Sequence, residues 1–178
     1  GEGRFTLAAA HYDHQLRGEE SARDLEFVRE FVALCCRKER ILRPDGSVEI
    51  LPGVELFTGS GDVAAQAKAK GQGLEEAARE MRYAFLQKAA REAGAQYIAT
   101  AHTADDNAET VLLHLIRGSG LQGLTGIAPR RGELVRPLLT TPRTEIEDYV
   151  SEHGVPFVED STNADTAYTR NRLRREIL

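Results

Sequence analysis

The sequence has 178 residues, of which 41% are hydrophobic and 29% charged, a balance typical of one globular domain and unlike that of a disordered segment. Its formal net charge of -5 gives no support to nucleic-acid binding through bulk charge. The two cysteines, Cys35 and Cys36, are adjacent, which excludes a disulfide framework and a CxxC motif. These cysteines favour a cytoplasmic protein, and no membrane segment is expected, because no apolar run approaches the roughly 18 residues of a membrane span.

The first strand is predicted at Phe5 to Ala10, FTLAAA, whose small apolar residues do not alternate with polar ones. Such a run is typical of a strand buried on both faces, as in a parallel sheet. His11, Asp13, His14 and Arg17 would then lie in the following loop, at the end of the strand where α/β sheets bind ligands. Positioning or phosphate contacts are expected of these side chains, because a metal site at the two histidines lacks a third ligand at typical spacing.

The middle of the chain alternates between helical and extended patterns. Ser21 begins a predicted helix that ends near Arg37, and the turn residues PDG favour a hairpin inserted over residues 41–52. A strand and the start of a helix follow in VELFTGSGDVAAQ, and a longer helix is predicted from Leu74 to Ala93, ending at Gly94. Its inward-facing residues are expected to be Leu74, Ala77, Ala78, Met81 and Phe85, with Arg82 beside them. This alternation predicts βαβ units.

The stretch YIATAHTADDNAET contains the densest group of candidate site residues. Tyr97 to Ala101 is predicted as a buried strand, and Thr103 as the N-cap of a helix with Asp106 completing a capping box. Together with Asp105 and Glu109, Asp106 forms a group of three carboxylates where the strand meets the helix, just after His102. These acids either complement the helix dipole or hold a metal-bridged nucleotide, since bare carboxylates repel phosphate unless a cation such as Mg²⁺ lies between.

A glycine-rich segment follows this helix, and further helices follow an extended stretch. Arg117, Gly118 and Gly120 lie in RGSGLQGLTG, where missing side chains permit tight turns or close approach to a ligand. A helix is predicted with Thr141 as N-cap and Gly154 as terminator. The last ten residues contain four arginines, an anchor for phosphates unless they only form a solvated helix face: Arg170, Arg172, Arg174 and Arg175.

Six segments appear in the order found in the tRNA(Ile)-lysidine synthetases, a family of N-type ATP pyrophosphatases that this chain resembles over nearly its whole length. They are HYDHQLRGEES, the arginine of AREMRYAFL, AHTADDNAET, RGSGLQGLTG, RPLL and EDSTNAD with YTRNRLR. The resemblance implies a Rossmann-like α/β domain of the adenine nucleotide alpha hydrolase-like kind, a parallel sheet flanked by helices. It also implies that ATP and Mg²⁺ are used to adenylate the wobble cytidine of tRNA(Ile), and that L-lysine then displaces AMP to form lysidine.

The resemblance also implies roles for individual residues. Catalytic roles fall on Arg82, His102, Asp106 and Glu109, with Glu109 holding the lysine ammonium and Asp106 contacting Mg²⁺ or the amine. Asp105 and Asp106 are the expected metal ligands. Contacts to ATP are expected from Ala10, His11, His14, Arg17, Arg117, Gly118 and Gly120. Contacts to tRNA are expected from Asn171, Arg172 and Arg174.

One departure from the family pattern concerns its phosphate-binding loop, SGGxDS, which has no counterpart in this sequence. Gly1 to Gly3 lacks the serines and the aspartate, and the GSGD beginning at Gly59 comes too late in the order of segments. We therefore expect a single domain over residues 1–178 that is truncated at both ends, and that forms no lysidine alone. Two alternatives remain open: a tRNA thiolase of the same superfamily, whose paired CxxC elements are absent here, and a non-catalytic RNA- or nucleotide-binding remnant.

Overall fold

The computed structural model of this α/β protein describes residues 6–35, 40–42, 48–50 and 53–158. The chain divides into two compact units, residues 1–96 and residues 97–178. The single domain expected from the sequence stays a prediction. Within the described residues, no helix combines the length and the apolar character needed to cross a membrane.

Over its described ranges, the first unit contains a pair of parallel strands, a pair of antiparallel strands and three helices. Its elements are β1 (Ala8–Asp13), α1 (Glu19–Cys35), β2 (Arg40–Leu42), β3 (Val48–Ile50), β4 (Glu55–Ser60), α2 (Val63–Lys70) and α3 (Leu74–Glu92). Strand β1 pairs in parallel with β4, from Ala8 opposite Glu55 to Asp13 opposite Ser60. Strands β2 and β3 pair antiparallel, in the segment where the sequence predicts a hairpin. The parallel pairing confirms the predicted sheet type.

Strand β1 lies further along the chain than the sequence predicts. It continues to Asp13, so His11 and Asp13 belong to the strand and not to the loop, whereas Phe5 lies outside the described residues. The strand continues because pairing with β4 depends on backbone groups and not on side-chain polarity. Ala8 and Ala10 are exposed, so the prediction of burial on both faces is wrong. The strand ends where the Gln15 amide donates to Asp13 Oδ1 (2.7 Å) and Gln15 adopts a left-handed backbone.

Small side chains form the core of the first unit. Val63, Ala67 and Ala77 are buried where α2 contacts α3, with Met81 against them. Leu74 is 54% exposed, so its predicted inward position is wrong: as the first residue of α3 it precedes the buried turn at Ala77. The helix ends as predicted, with Gly94 in the left-handed conformation.

The glycines of the GSGD segment are explained by packing. A β-carbon at Gly59 would lie 2.6 Å from two ring carbons of Phe85, and one at Gly61 would lie 2.5 Å from Met81 Cε. Asp62 then caps α2, because its Oδ1 accepts from the Ala65 amide at 2.9 Å. These contacts account for the segment without a phosphate.

In its described residues, the second unit contains a small mixed sheet, two α-helices and a 3₁₀ helix. Its elements are β5 (Ile98–Ala99), α4 (Ala104–Ile116), a 3₁₀ helix (Leu121–Thr125), β6 (Arg130–Arg131), β7 (Leu134–Val135) and α5 (Arg143–Glu152). Strand β7 pairs in parallel with β5 and antiparallel with β6. Strand β5 is shorter than predicted, since only two of its residues pair with β7, and Tyr97 is half exposed. Leu113 and Leu139 are buried in this unit, and so are two charged residues, Glu109 and Arg136.

Candidate functional site

The N-terminus of α4 has the capping box that the sequence predicts. The Thr103 amide donates to Asp106 Oδ2 at 2.8 Å, and the Asp106 amide donates to Thr103 Oγ1 at 3.3 Å. Two helix-terminal donors are therefore satisfied by one pair of side chains. Asp106 thus has a structural role whatever else it binds.

Asp105 links the start of α4 to the start of α5. Its Oδ2 accepts from the Arg143 amide at 2.8 Å, while the Thr141 carbonyl accepts from the Ala104 amide at 3.1 Å. The first turn of each helix therefore donates to an acceptor at the start of the other: α4 to the Thr141 carbonyl just before α5, and α5 to the Asp105 carboxylate. The prediction of Thr141 as N-cap of α5 is wrong, because the cap position is Pro142, which has no side-chain acceptor, and Asp105 supplies the oxygen instead.

The cap from Asp105 gives a stability prediction. Asp105→Ala is expected to lower the free energy of unfolding by about 1 kcal/mol, because it leaves the Arg143 amide without its acceptor. Asp105→Asn keeps a side-chain oxygen that can accept the hydrogen bond. Its free energy of unfolding is therefore expected to fall by less than half as much as that of Asp105→Ala. Denaturant titration of the two variants makes the comparison. Equal stability of Asp105→Ala and the parent protein would show that the cap contributes nothing.

Glu109 and His102 lie next to this junction. Glu109 is three residues after Asp106 and so on the same face of α4, and its side chain is only 3% exposed. The His102 ring is oriented by a 2.9 Å hydrogen bond between Nδ1 and Thr100 Oγ1. The structure therefore places all four predicted residues of this segment at the carboxyl end of β5 and the first turns of α4.

The fit of this segment to Mg²⁺ depends on its donor set. Among the described residues, no group of three or more His, Cys, Asp or Glu side chains is arranged to hold a metal ion. Mg²⁺ is commonly held by one or two carboxylates together with substrate phosphates. Asp105 and Asp106 stay the predicted ligands of that kind: both lie in the first turn of α4, where Asp105 Oδ2 already accepts from the Arg143 amide and Asp106 Oδ2 from the Thr103 amide.

The glycine-rich exit of α4 lies at the other end of the helix. Arg117 is the exposed C-cap residue and Gly118 is left-handed, with its amide donating to the Leu115 carbonyl at 3.0 Å. Arg117 comes eleven positions after Asp106, about 17 Å along the helix axis. One phosphate cannot contact both ends, and helix termination explains Gly118 without a ligand. A β-carbon at Gly120 would meet only open space.

After this turn the chain returns along α4, a feature that sequence reasoning missed. His114 Nδ1 donates to the Gly123 carbonyl at 2.9 Å, and the Ile127 amide donates to Asn107 Oδ1 at 2.7 Å. A β-carbon at Gly126 would overlap Asn107 Oδ1. The signal in the sequence was an asparagine and a histidine seven residues apart on one helix face, followed by a segment rich in glycine.

In the first unit, four predicted site residues lie around the end of β1. Ala10 and His11 are strand residues opposite Phe57 and Thr58. Arg17 pairs with Asp24 at 2.8 Å and with Glu20 at 3.7 Å, so these carboxylates already neutralise much of its charge. His14 packs edge-on against Tyr12, with ring centroids 5.2 Å apart.

His14 and Arg82 are electrostatically coupled. Burial lowers the pKa of His14 below its ordinary value of 6.5, and the Arg82 guanidinium lowers it further, so the ring is neutral at pH 7. Its Nδ1 is buried and has no hydrogen-bond partner among the residues that the structure describes. Burial also lowers the pKa of His11, and the negative charges of Asp13 and Asp24 oppose that shift. A neutral imidazole can form a hydrogen bond to a ligand, but it has no positive charge with which to neutralise a ligand anion. A hydrogen-bonding role therefore suits His14 better, beside the exposed Arg82.

This coupling predicts the titration of His14. Arg82→Gln is expected to raise the pKa of His14 toward 6.5 without reaching it, because burial, the larger cause, remains. Arg79→Gln is the matched control: both guanidinium carbons lie near the Tyr83 ring, at 5.7 and 5.6 Å for Arg79 and Arg82, but only Arg82 acts on His14. NMR titration of the imidazole protons measures both. An unchanged pKa in Arg82→Gln would contradict the arrangement.

The same shift sets a direction for stability. The folded pKa of His14 lies below the unfolded value, so the unfolded chain binds the proton first as the pH falls. His14 therefore lowers the free energy of unfolding as the pH falls through 6.5 toward its folded pKa, and has no such effect at higher pH.

The predicted tRNA contacts Asn171, Arg172 and Arg174 lie outside the described residues.

Comparison with known families decides the family of the chain. The model of the PP-loop domain matches residues 2–178. The chain belongs to the PP-loop domain family. This membership agrees with the parallel strand pairs and confirms the fold class expected from the sequence.

Similar curated proteins agree with this assignment to the PP-loop domain family. The chain is 45% identical to a tRNA(Ile)-lysidine synthase of Thermotoga sp. (strain RQ2), over 98% of the chain and 38% of the relative. It is 44% identical to that of Bacteroides thetaiotaomicron, over 98% of the chain and 37% of the relative. It is 46% identical to that of Thermus thermophilus, over 93% of the chain and 29% of the relative. The resemblance to lysidine synthetases is thus confirmed, and this PP-loop domain spans about a third of their length.

Proposed function

We propose that this PP-loop domain acts in lysidine formation, in which ATP activates tRNA(Ile) and L-lysine is joined to the wobble cytidine of its CAU anticodon. The observation that supports this most is the 45% identity, over 98% of the chain, to a protein named tRNA(Ile)-lysidine synthase. That name favours transfer of an amine over the transfer of sulfur by a thiolase. Because the relatives are longer, we propose the reaction for a full-length protein in the cytoplasm, and none for the 178-residue chain alone.

The proposed reaction has two steps. In the first, the C2 carbonyl oxygen of cytidine attacks the α-phosphorus of ATP, and diphosphate leaves. In the second, the ε-amine of lysine, having lost a proton, attacks C2, and AMP leaves with the electron pair of the C–O bond. The first step needs cationic groups near developing phosphate charge, and the second needs a carboxylate for the ammonium and an acceptor for its proton.

The carboxylates of α4 suit the second step. Glu109 is nearly withdrawn from water, so its attraction for an ammonium group is stronger than that of a surface carboxylate. Asp106, one turn earlier on the same face, is proposed to contact the amine or Mg²⁺. Both positions are held by regular helix and by the capping box, which preorganises them before a ligand arrives.

The remaining roles are proposed residue by residue, as the family resemblance implies them. Arg82 and His102 are proposed to stabilise charge on the phosphate or on the adenylated base. Mg²⁺, when bound by Asp105 and Asp106, would supply charge neutralisation at the phosphates. Contacts to the nucleotide are proposed for Ala10, His11, His14 and Arg17, and contacts to tRNA for Asn171, Arg172 and Arg174. Arg117, Gly118 and Gly120 are proposed to contact only a part of the ligand that lies far from the Asp106 carboxylate.

The test is an assay of the full-length protein with a tRNA(Ile) transcript, ATP and labelled lysine. One lysine incorporated per AMP released is the expected result. AMP release with sulfur incorporation from a sulfur donor would favour the thiolase alternative. RNA or nucleotide binding without AMP release would favour the non-catalytic alternative.

A further inference from the structure

Arg136 is a buried cation for which the described residues provide little compensation. Its side chain is only 7% exposed. A guanidinium has five N–H donors and remains charged at every physiological pH. One donor, on Nη1, bonds to the Ala128 carbonyl, while the buried Nε finds no hydrogen-bond acceptor in the part of the chain that the structure describes. Across the described residues, no carboxylate forms an ion pair with it.

Burial of such a group is costly when it is not matched by an anion. An unpaired donor withdrawn from water loses its hydration without replacement, and an unpaired charge loses more. Support of the Ala128 loop would need only one neutral donor, which a smaller side chain provides. The excess of donors and the positive charge therefore require another explanation.

The position of Arg136 supplies one. It directly follows β7, whose parallel neighbour β5 leads into Thr100 and His102. The Thr100 amide donates to the Val135 carbonyl at 3.0 Å, so the two strands are still paired where Arg136 begins. The carboxyl ends of parallel strands are where α/β sheets bind ligands. Arg136 and the His102 segment thus share one ligand-binding edge within the second unit.

We propose that Arg136 binds an oxyanion of a ligand at the carboxyl edge of β5 and β7, through its buried guanidinium. The inference rests on the proposed function, which provides two sources for this oxyanion: the carboxylate of lysine and a phosphate of the nucleotide. The planar fork of arginine suits both, because each presents two oxygens to a pair of parallel N–H donors.

The test compares ligands with and without a carboxylate in the full-length protein. Calorimetry gives the Kd of L-lysine, L-lysinamide, AMP and ATP for the parent protein, Arg136→Gln and Arg136→Lys. If the oxyanion is the lysine carboxylate, the parent protein binds lysine about tenfold or more tightly than lysinamide, and Arg136→Gln removes that preference. If it is a phosphate, Arg136→Gln weakens AMP and ATP binding about tenfold or more and leaves the lysine to lysinamide ratio unchanged.

These ratios separate binding from a structural effect. Partial unfolding weakens lysine and lysinamide alike, so their ratio does not move. If Arg136→Gln does not fold, Arg136→Lys decides, because it keeps the positive charge but loses the planar guanidinium. A severalfold fall is then expected either in the preference for lysine over lysinamide or in the affinity for AMP and ATP. An unchanged ratio together with unchanged nucleotide affinity overturns the inference. Absence of lysine and ATP binding in the parent protein would instead overturn the proposed function.

Discussion

In the full-length protein, Glu109→Gln is expected to lower kcat/KM for lysine in the proposed lysidine formation by roughly 30-fold or more. Removing one member of a buried charge pair costs about 2 to 5 kcal/mol, and each 1.4 kcal/mol is a factor of ten. Glutamine has nearly the same shape, so the change removes the negative charge from a side chain that is only 3% exposed and leaves its volume in place. The measurement is lysine incorporation into tRNA(Ile) at varied lysine concentration.

The two proposed steps allow a sharper comparison. Diphosphate release in the first step is expected to continue in Glu109→Gln, because that step does not involve the amine. Glu145→Gln is the control, since it removes an exposed carboxylate from the first turn of α5 in the same unit. Equal losses of diphosphate release and lysine incorporation would assign Glu109 to the nucleotide or to folding and not to the amine.

Gly126→Ala is expected to destabilise the protein by about 2 to 6 kcal/mol. The backbone of Gly126, with a positive φ and a ψ of -144°, lies in a region populated almost only by glycine, which costs other residues roughly 1 to 3 kcal/mol, and forced overlap in a packed site costs about 1 to 3 kcal/mol more. Gly126 has φ 62°, and its β-carbon would overlap Asn107 Oδ1 and lie 3.0 Å from Val111 Cγ2. The hydrogen bond from the Ile127 amide to Asn107 would be strained as well.

Gly118→Ala is the matched control for this substitution. Its φ of 69° is also positive, but a β-carbon there would have no atom within 4 Å. A larger loss of stability in Gly126→Ala, measured by denaturant titration, is expected from the contact with α4 together with the more restricted backbone of Gly126. Equal destabilisation would mean that backbone strain alone accounts for the loss, and that the return of the chain along α4 is not closely packed.

Features decided within a few residues were predicted correctly from the sequence. The capping box joins Thr103 to Asp106 over three residues, and the left-handed Gly94 ends α3 through bonds to the preceding turn. Helical periodicity likewise identified α3 and α4. Each of these depends on hydrogen bonds or spacing inside one helix, so the local sequence contains the whole cause.

Features that depend on a distant partner were missed. The length of β5 is set by its pairing with β7, and the end of β1 by its register with β4. The cap of α5 comes from Asp105, 38 residues before the amide that it accepts. Hydrophobic pattern contains no information on which distant backbone group will be left without a partner.

The sequence by itself therefore determined the α/β class, the helices and the family, because periodicity, caps and the order of short segments are local properties of the chain. The tertiary structure decided which of the candidate residues are buried, which are already used as caps, and that Arg136 is a buried cation. Burial and long-range hydrogen bonds depend on which segments pack together, and that choice is made by the whole fold and not by any one segment.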